Sequence, residues 1–168
     1  MPVVDLVQRG ATDAGNLTAL VQSSDIVFLC VTGTPEVEDL VHRAGGILDS
    51  CREGQIVIDT STSQPASTLR MKDAFAAKGV RFVDSPLTRT PVEAEQGRLN
   101  TLVGADDATF AEIEPVLRGF CENVFHIGAV GSAHALKLVN NFIAIGTAAL
   151  CAEAVVACKR LGVEPKKL

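Results

Sequence analysis

The chain has 168 residues, of which 47% are hydrophobic and 21% are charged. This balance is typical of a soluble globular protein, and the length suffices for one domain with its own core. The formal net charge of −5 argues against nucleic acid or an anionic membrane as the main partner, because both repel an acidic protein. We therefore expect a small-molecule partner, with no nucleic acid and no membrane.

The five cysteines and three histidines are scattered along the chain. No two cysteines form a CxxC pair, so we expect no metal site. An odd number of cysteines, three of them in apolar stretches, favours reduced thiols. The sequence shows no charged segment followed by an apolar run at its start. Together these features predict a cytoplasmic protein without a signal peptide.

The first half of the chain alternates helix-like and strand-like segments. A helical stretch at 16–22 precedes an unbroken apolar run at 25–31, which is typical of a strand covered on both faces. A helix from Pro35 to about Leu48 follows, with proline in its first turn. Next come a strand at 55–59, a helix from the turn at 61–65 to Lys78, and a strand at 81–84. This alternation predicts a doubly wound α/β sheet with right-handed crossovers.

The second half of the chain does not continue this regular alternation of strands and helices. The sequence predicts a polar loop at 88–96, a strand at 98–103, a helix from Asp106 or Asp107 to Leu117, and a short strand at 123–127. Only Gly146 interrupts the pattern between Ser132 and Leu161, so we predict one long helix that ends at Gly162. We divide the chain into an incomplete nucleotide-binding domain at 1–130 and a long interdomain helix at 131–168.

The long helix is about long enough to cross a bilayer core. Asn140, Asn141 and Glu153 would each be costly in lipid, which favours a helix buried in a protein interface. Its apolar residues lie around most of its circumference, and one sheet face cannot cover them all. We therefore expect a homodimer in which the long helices pair or exchange.

Three polar stretches follow predicted strands, at 30–34, 59–62 and 84–90. The carboxyl ends of strands are where an open α/β sheet binds ligands. On local grounds 59–62 fits an ordinary turn and helix cap equally well. The stretch at 84–90 is either a surface turn or a loop whose amides and Arg89 receive a carboxylate.

A fourth stretch, at 137–141, lies on the long helix. Lys137 and Asn141 are one turn apart on the same face, a spacing that suits proton transfer at a substrate hydroxyl. Spacing alone favours a surface lysine, but adjacent asparagines in an apolar helix need polar partners. His134 lies roughly on the Lys137 face, and a role in lining the site stays open; His126 is interpreted as structural.

Taken in order, these stretches resemble the β-hydroxyacid dehydrogenase family, which includes 3-hydroxyisobutyrate dehydrogenase and shares the nucleotide-binding domain of 6-phosphogluconate dehydrogenase. The DxPVSGG-like substrate loop of that family corresponds to Asp84–Thr90, and its GxGxxxKxxNN segment corresponds to Gly128–Asn141. The resemblance implies NAD or NADP as cofactor and oxidation of a hydroxy acid similar to 3-hydroxyisobutyrate, or reduction of the matching semialdehyde. It implies Lys137 as acid/base and Asn141 as its catalytic partner. The implied substrate residues are Thr88, Arg89, Thr90 and Asn140, and the implied nicotinamide-side residues are Val31, Thr32 and Thr62.

The chain departs from the family pattern in three ways. Thr88, Arg89 and Thr90 replace the SGG of the substrate loop, which points to a different or larger anionic substrate. Val31 and Thr32 stand where many relatives have Leu-Pro. No GxGxxG phosphate-binding turn occurs, so we expect a partial Rossmann-like sheet that lacks its first βαβ unit and is followed by one long C-terminal helix. Alone, such a chain should bind dinucleotide poorly and be inactive.

A second hypothesis is a non-catalytic α/β module that serves protein association. Lys137 and Asn141 stand at the positions of the family motif, which favours the enzyme, because a module without catalytic activity would gain nothing from them. The choice between NAD and NADP stays open, because the residue that contacts the ribose belongs to the unit we expect to be absent.

Overall fold

A computed structural model describes residues 2–168 and shows a mixed six-stranded sheet covered by helices on both faces. The strands lie side by side in the order β1-β2-β3-β5-β4, and β6 pairs with β5. The strands are β1 Ile26–Leu29, β2 Ile56–Asp59, β3 Arg81–Asp84, β4 Leu87–Thr88, β5 Leu99–Gly104 and β6 Cys121–Gly128. The helices are α1 Pro2–Gln8, α2 Leu17–Ser23, α3 Thr34–His42, α4 Ile47–Ser50, α5 Pro65–Ala76, α6 Pro91–Glu95, α7 Asp107–Leu117 and α8 Ser132–Arg160, followed by a 3-10 turn at Pro165–Lys167.

Alternation along the strands divides the core into two layers. Val27 and Val57 face a cluster that includes Val37 of α3 and Phe75 of α5. Ile56 and its neighbours on the other face pack against residues of α7. Because successive side chains of a strand point to opposite faces, each apolar strand serves both layers. The predicted doubly wound α/β class is confirmed.

The sheet changes direction after β3. Strands β1, β2 and β3 are parallel, whereas β5 runs antiparallel to both β3 and β4 and parallel to β6. Pro86 separates β3 from β4, because proline has no N–H to donate to a ladder. The chain bends there, and Asp84 pairs with Gly104 while Thr88 pairs with Asn100. The loop at 84–90 therefore crosses the edge where the parallel strands end.

Three predicted segments differ from the structure. The predicted helix from Pro35 to Leu48 is two helices, because Gly45 adopts a left-handed conformation and a Cβ at Gly46 would lie 2.7 Å from a backbone carbonyl oxygen. The predicted loop at 88–96 contains β4 and α6, and α6 begins with a capping box formed by Thr90 and Glu93. The last strand is β6, which is longer than predicted.

The long helix α8 starts where it was predicted and ends at Arg160, two residues before the predicted end at Gly162, which is left-handed. By length and composition alone it could cross a membrane. It also contains Asn140, Asn141 and Glu153, which would each be costly in lipid. The expectation that the protein has no membrane partner stays a prediction.

Candidate functional site

The first turn of α8 is held against the end of β3 by Asp84. The backbone N–H groups of Gly131 and His134 donate to Asp84 Oδ1 and Oδ2 at 2.7 and 2.8 Å. Gly131, the residue that precedes α8, caps the helix with no side chain of its own, so the carboxylate of another element serves as the cap. A Cβ at Gly104 would overlap Asp84 Oδ1, which explains the glycine on β5.

The buried carboxyl of Asp84 predicts that the unfolding free energy depends on pH. Burial raises the pKa of its carboxyl, although the N–H groups of Gly131 and His134 oppose the shift. When a carboxyl has a higher pKa in the folded than in the unfolded protein, its protonation stabilises the fold. This stabilisation is complete below the ordinary carboxyl pKa and is lost as the pH rises through the pKa of the folded protein. Wild type should therefore gain unfolding free energy relative to Asp84→Asn as pH falls from about 7 to about 4. Urea unfolding of both proteins measures this, and a pH-independent difference would contradict it.

His134 joins the start of α8 to the loop after β2. Its side chain is fully buried, with Nε2 3.1 Å from the Ser61 carbonyl oxygen and Nδ1 2.7 Å from Thr68 Oγ1. Nε2 also lies 3.9 Å from Asp59 Oδ2. The sequence left a site-lining role open for His134, but its ring is a buried connector between helix and sheet.

Lys137 follows His134 by one turn, and Asn141 follows Lys137 by another. Both side chains are half-buried, whereas Asn140 is exposed. Burial lowers the pKa of the Lys137 ammonium. An amine that is easier to deprotonate is better suited to take and return a proton.

The structure separates the four residues assigned to the substrate into two groups. Thr88 and Asn140 line one cavity of about 300 Å³, between the start of α8 and the sheet. Arg89 and Thr90 line another, of about 380 Å³. The remaining residues around the first cavity are Asn100, Leu102, Phe125 and Leu136.

Arg89 does not point toward the cavity of Thr88. Its guanidinium donates to Glu122 on β6 and to the Arg98 carbonyl oxygen. Both contacts use Nη1, so the rest of the guanidinium keeps N–H donors, but the pair with Glu122 holds Arg89 away from the cavity of Thr88. The carboxylate contact assigned to Arg89 stays a prediction. No local pattern in the sequence reveals the pair with Glu122.

Arg89 also adopts φ of +81°, a left-handed conformation that favours glycine. Ala and Gly substitutions both remove the ion pair, but only glycine removes the backbone strain. We therefore expect Arg89→Gly to be more stable than Arg89→Ala by about 1 kcal/mol. Urea unfolding of the two variants measures the difference, and equal stabilities would show that the loop relaxes around alanine.

Val31, Thr32 and Thr62 come together at the carboxyl ends of β1 and β2. The Val31 N–H donates to Ser61 Oγ at 3.0 Å, and a Cβ at Gly33 would lie 3.6 Å from the Thr62 carbonyl oxygen. Thr32 and Thr62 are exposed. The hydroxyls and the apolar Val31 side chain suit a flat ring that carries a carboxamide.

The charges of the α3 residues next to Val31 indicate which part of a dinucleotide this edge of the sheet can bind. Val31 lines a cavity of about 430 Å³ together with Glu36 and Asp39 of α3. Two carboxylates repel a phosphate, so this edge fits the nicotinamide end of NAD or NADP and not its pyrophosphate. Val31, Thr32 and Thr62 would hold the nicotinamide ring.

The fold and site define a Rossmann-like nucleotide-binding protein, and comparison with known proteins gives its family. Residues 2–128 match the family described as the NAD binding domain of 6-phosphogluconate dehydrogenase. The chain belongs to this family. The description of the family, an NAD binding domain, confirms the predicted cofactor class.

The curated relatives are oxidoreductases. A 2-(hydroxymethyl)glutarate dehydrogenase of Eubacterium barkeri is 34% identical over 99% of this chain and 55% of its own length. A 3-hydroxyisobutyrate dehydrogenase of Pseudomonas aeruginosa is 30% identical over 99% of this chain and 56% of its own length. The predicted resemblance is confirmed, and the chain spans little more than half the length of these relatives.

Solved structures agree on the fold. Psf3, in complex with NADP+ and 2-OPP, is 28% identical with a TM-score of 0.86, over 98% of this chain and 58% of its own. An imine reductase of Myxococcus stipitatus with NAD+ has a TM-score of 0.87 at 22% identity, over 97% of this chain and 56% of its own. The second likeness concerns the fold alone.

Proposed function

We propose that the protein is an NAD(P)-dependent dehydrogenase that oxidises a hydroxy acid similar to 3-hydroxyisobutyrate, or reduces the matching semialdehyde, with Lys137 as acid/base. The observation that supports this most strongly is the position of Lys137. It is half-buried, one turn beyond a helix start that hydrogen bonds join to the ends of β2 and β3. The names of the curated relatives support the substrate class.

The nicotinamide, when bound, accepts or supplies a hydride at the substrate carbon. In the oxidation, the Lys137 amine takes the proton of the substrate hydroxyl. In the reduction, the Lys137 ammonium returns that proton and stabilises the negative charge that develops on the oxygen. The pKa of Lys137, lowered by burial, makes both protonation states accessible.

The neighbouring polar groups orient the substrate. Asn141 lies one turn from Lys137 and holds the reacting hydroxyl through its carboxamide. Thr88 and Asn140 line the adjacent cavity and bind the carboxylate end. Because the Arg89 guanidinium is paired with Glu122, the loop offers hydroxyl and amide groups there.

We further propose that the protein acts in the cytoplasm as a homodimer. The cytoplasm fits the free state of all five cysteines in the described residues. The dimer is supported by α8, whose apolar side chains are exposed along most of its length, as in Phe142 and Leu150, which are 80% and 73% exposed.

The activity can be tested with the full-length protein, NAD+ or NADP+, and a panel that includes 3-hydroxyisobutyrate and 2-(hydroxymethyl)glutarate. We expect reduced nicotinamide to form with at least one hydroxy acid. Isobutyrate, which lacks the hydroxyl, serves as the matched control and should give none. Cofactor binding without turnover of any hydroxy acid or semialdehyde would contradict the proposal.

A further inference from the structure

We propose that His134 is a positioning residue, which holds Lys137 at a fixed place relative to the loop at Ser61 and Thr62. This inference rests on the proposed function, because it concerns the geometry in which Lys137 meets the nicotinamide edge. It adds a residue that touches neither substrate nor cofactor.

The contacts of His134 reach three other elements of the fold. Since a carbonyl oxygen can only accept, the ring Nε2–H donates to Ser61 O, in the loop after β2. Nδ1 meets the hydroxyl of Thr68 on α5, and the backbone N–H donates to Asp84 at the end of β3. All four residues are buried. A buried polar group costs free energy once a partner is removed, so these bonds resist displacement.

Few other side chains of α8 can hold it in place, and the Asp84 cap binds only its backbone. Of its 29 residues, only Ala133 and His134 are fully buried within the part of the chain that the structure describes. Ala133 offers one methyl group and no hydrogen bond from its side chain. Rotation of α8 about its axis, or a slide along it, would break the bond from His134 to Ser61. The placement of Lys137, one turn further, therefore depends on the imidazole in addition to the Asp84 cap.

Loss of this bond should affect the chemical step more than substrate binding. A displacement of a reacting group by about 1 Å can cost about 10²-fold in rate. We expect His134→Ala to lower kcat by about 10-fold or more, with a much smaller change in the KM of the hydroxy acid. His134→Gln keeps a side-chain N–H that can reach Ser61 O, so it should recover most of kcat.

Gln55 provides a matched control. It is as buried as His134, and its Nε2 donates to the carbonyl oxygens of Val21 and Ser24. It precedes β2 at the amino end, whereas the site lies at the carboxyl end. Gln55→Ala should therefore lower the unfolding free energy, as His134→Ala does, but leave kcat within about 2-fold of wild type.

A second measurement does not depend on activity. The rate at which an amine reagent labels Lys137 can be followed by mass spectrometry in the full-length protein without cofactor, with Lys166 as internal standard. Lys137 should react faster in His134→Ala than in wild type, because the freed helix exposes it, and at the wild-type rate in Gln55→Ala.

The two measurements decide the proposal. Equal losses of kcat in His134→Ala and Gln55→Ala would overturn it, and so would unchanged labelling of Lys137 in His134→Ala. If His134→Ala does not fold, Thr68→Val removes the Nδ1 partner together with the bond from Thr68 Oγ1 to the Gln64 carbonyl oxygen, and it should show the same changes to a smaller degree. Unchanged kcat and unchanged labelling in Thr68→Val would also overturn the proposal. If wild type oxidises no hydroxy acid, the proposed function fails, while labelling still tests the role of His134.

Discussion

Lys137→Ala in the full-length protein should lower kcat by about 10²-fold or more, the loss expected for a positioned acid/base group. The unfolding free energy should change little, because the substitution removes an ammonium that burial disfavours. Lys159, an exposed lysine on the same helix, gives the matched control, and Lys159→Ala should keep wild-type activity. Steady-state kinetics measures both, and activity within a few-fold of wild type would remove Lys137 from the mechanism.

The same residue predicts a pH dependence. The oxidation needs the neutral amine, and burial lowers the pKa of Lys137. The rate of oxidation should therefore rise with pH through a value below the ordinary lysine pKa, and Lys137→Ala should lose that rise. A profile that is identical in wild type and variant would assign the ionisation to another group.

The second large effect is association of this chain in solution. Exposed apolar side chains on several faces of α8 form more apolar surface than soluble monomers usually present. Burial at roughly 25 cal/mol per Å² favours association by several kcal/mol before entropy costs. The residues concerned are Leu136, Leu138, Val139, Phe142, Ile143, Ile145, Leu150 and Val156.

We expect light scattering coupled to size exclusion to give a mass near twice 17.6 kDa at micromolar concentration. Phe142→Ser combined with Ile145→Ser should shift the chain toward the monomer, because both side chains are mostly exposed and contribute to the apolar surface. Val92→Ser is the control, since Val92 is also exposed but lies on α6. A clean monomer of the unmodified chain would rule out this association.

The elements that the sequence predicted well are those with strong local signals. Apolar runs predicted β1 and β2, Asp106 or Asp107 was predicted to start α7 and Asp106 is its cap, and an apolar stretch interrupted only by Gly146 predicted α8. In contrast, Gly45 and Gly46 split a helix whose apolar periodicity continues across them. Local periodicity does not reveal such a break, because the break depends on the left-handed backbone of Gly45 and on carbonyl oxygens that leave no room for a Cβ at Gly46.

Sequence spacing can place side chains of one element together, but not side chains that several elements bring together. It puts Lys137 and Asn141 on one helix face, where both are half-buried, and their roles in catalysis stay a proposal. The partners of Arg89 and His134 are Glu122 and Ser61, which are distant in sequence. Only the folded sheet brings these groups together, and a single sequence contains no signal for such a pair.

In the proposed mechanism, Lys137 exchanges a proton with the substrate hydroxyl beside the nicotinamide. A crystal structure of the full-length protein with NADP+ and a hydroxy acid it oxidises tests this most directly. We predict that Lys137 Nζ lies within about 2.6–3.2 Å of the reacting hydroxyl, with Thr62 at the nicotinamide. A hydroxyl bound beside another ionisable group, with Lys137 turned toward solvent, would contradict the assignment.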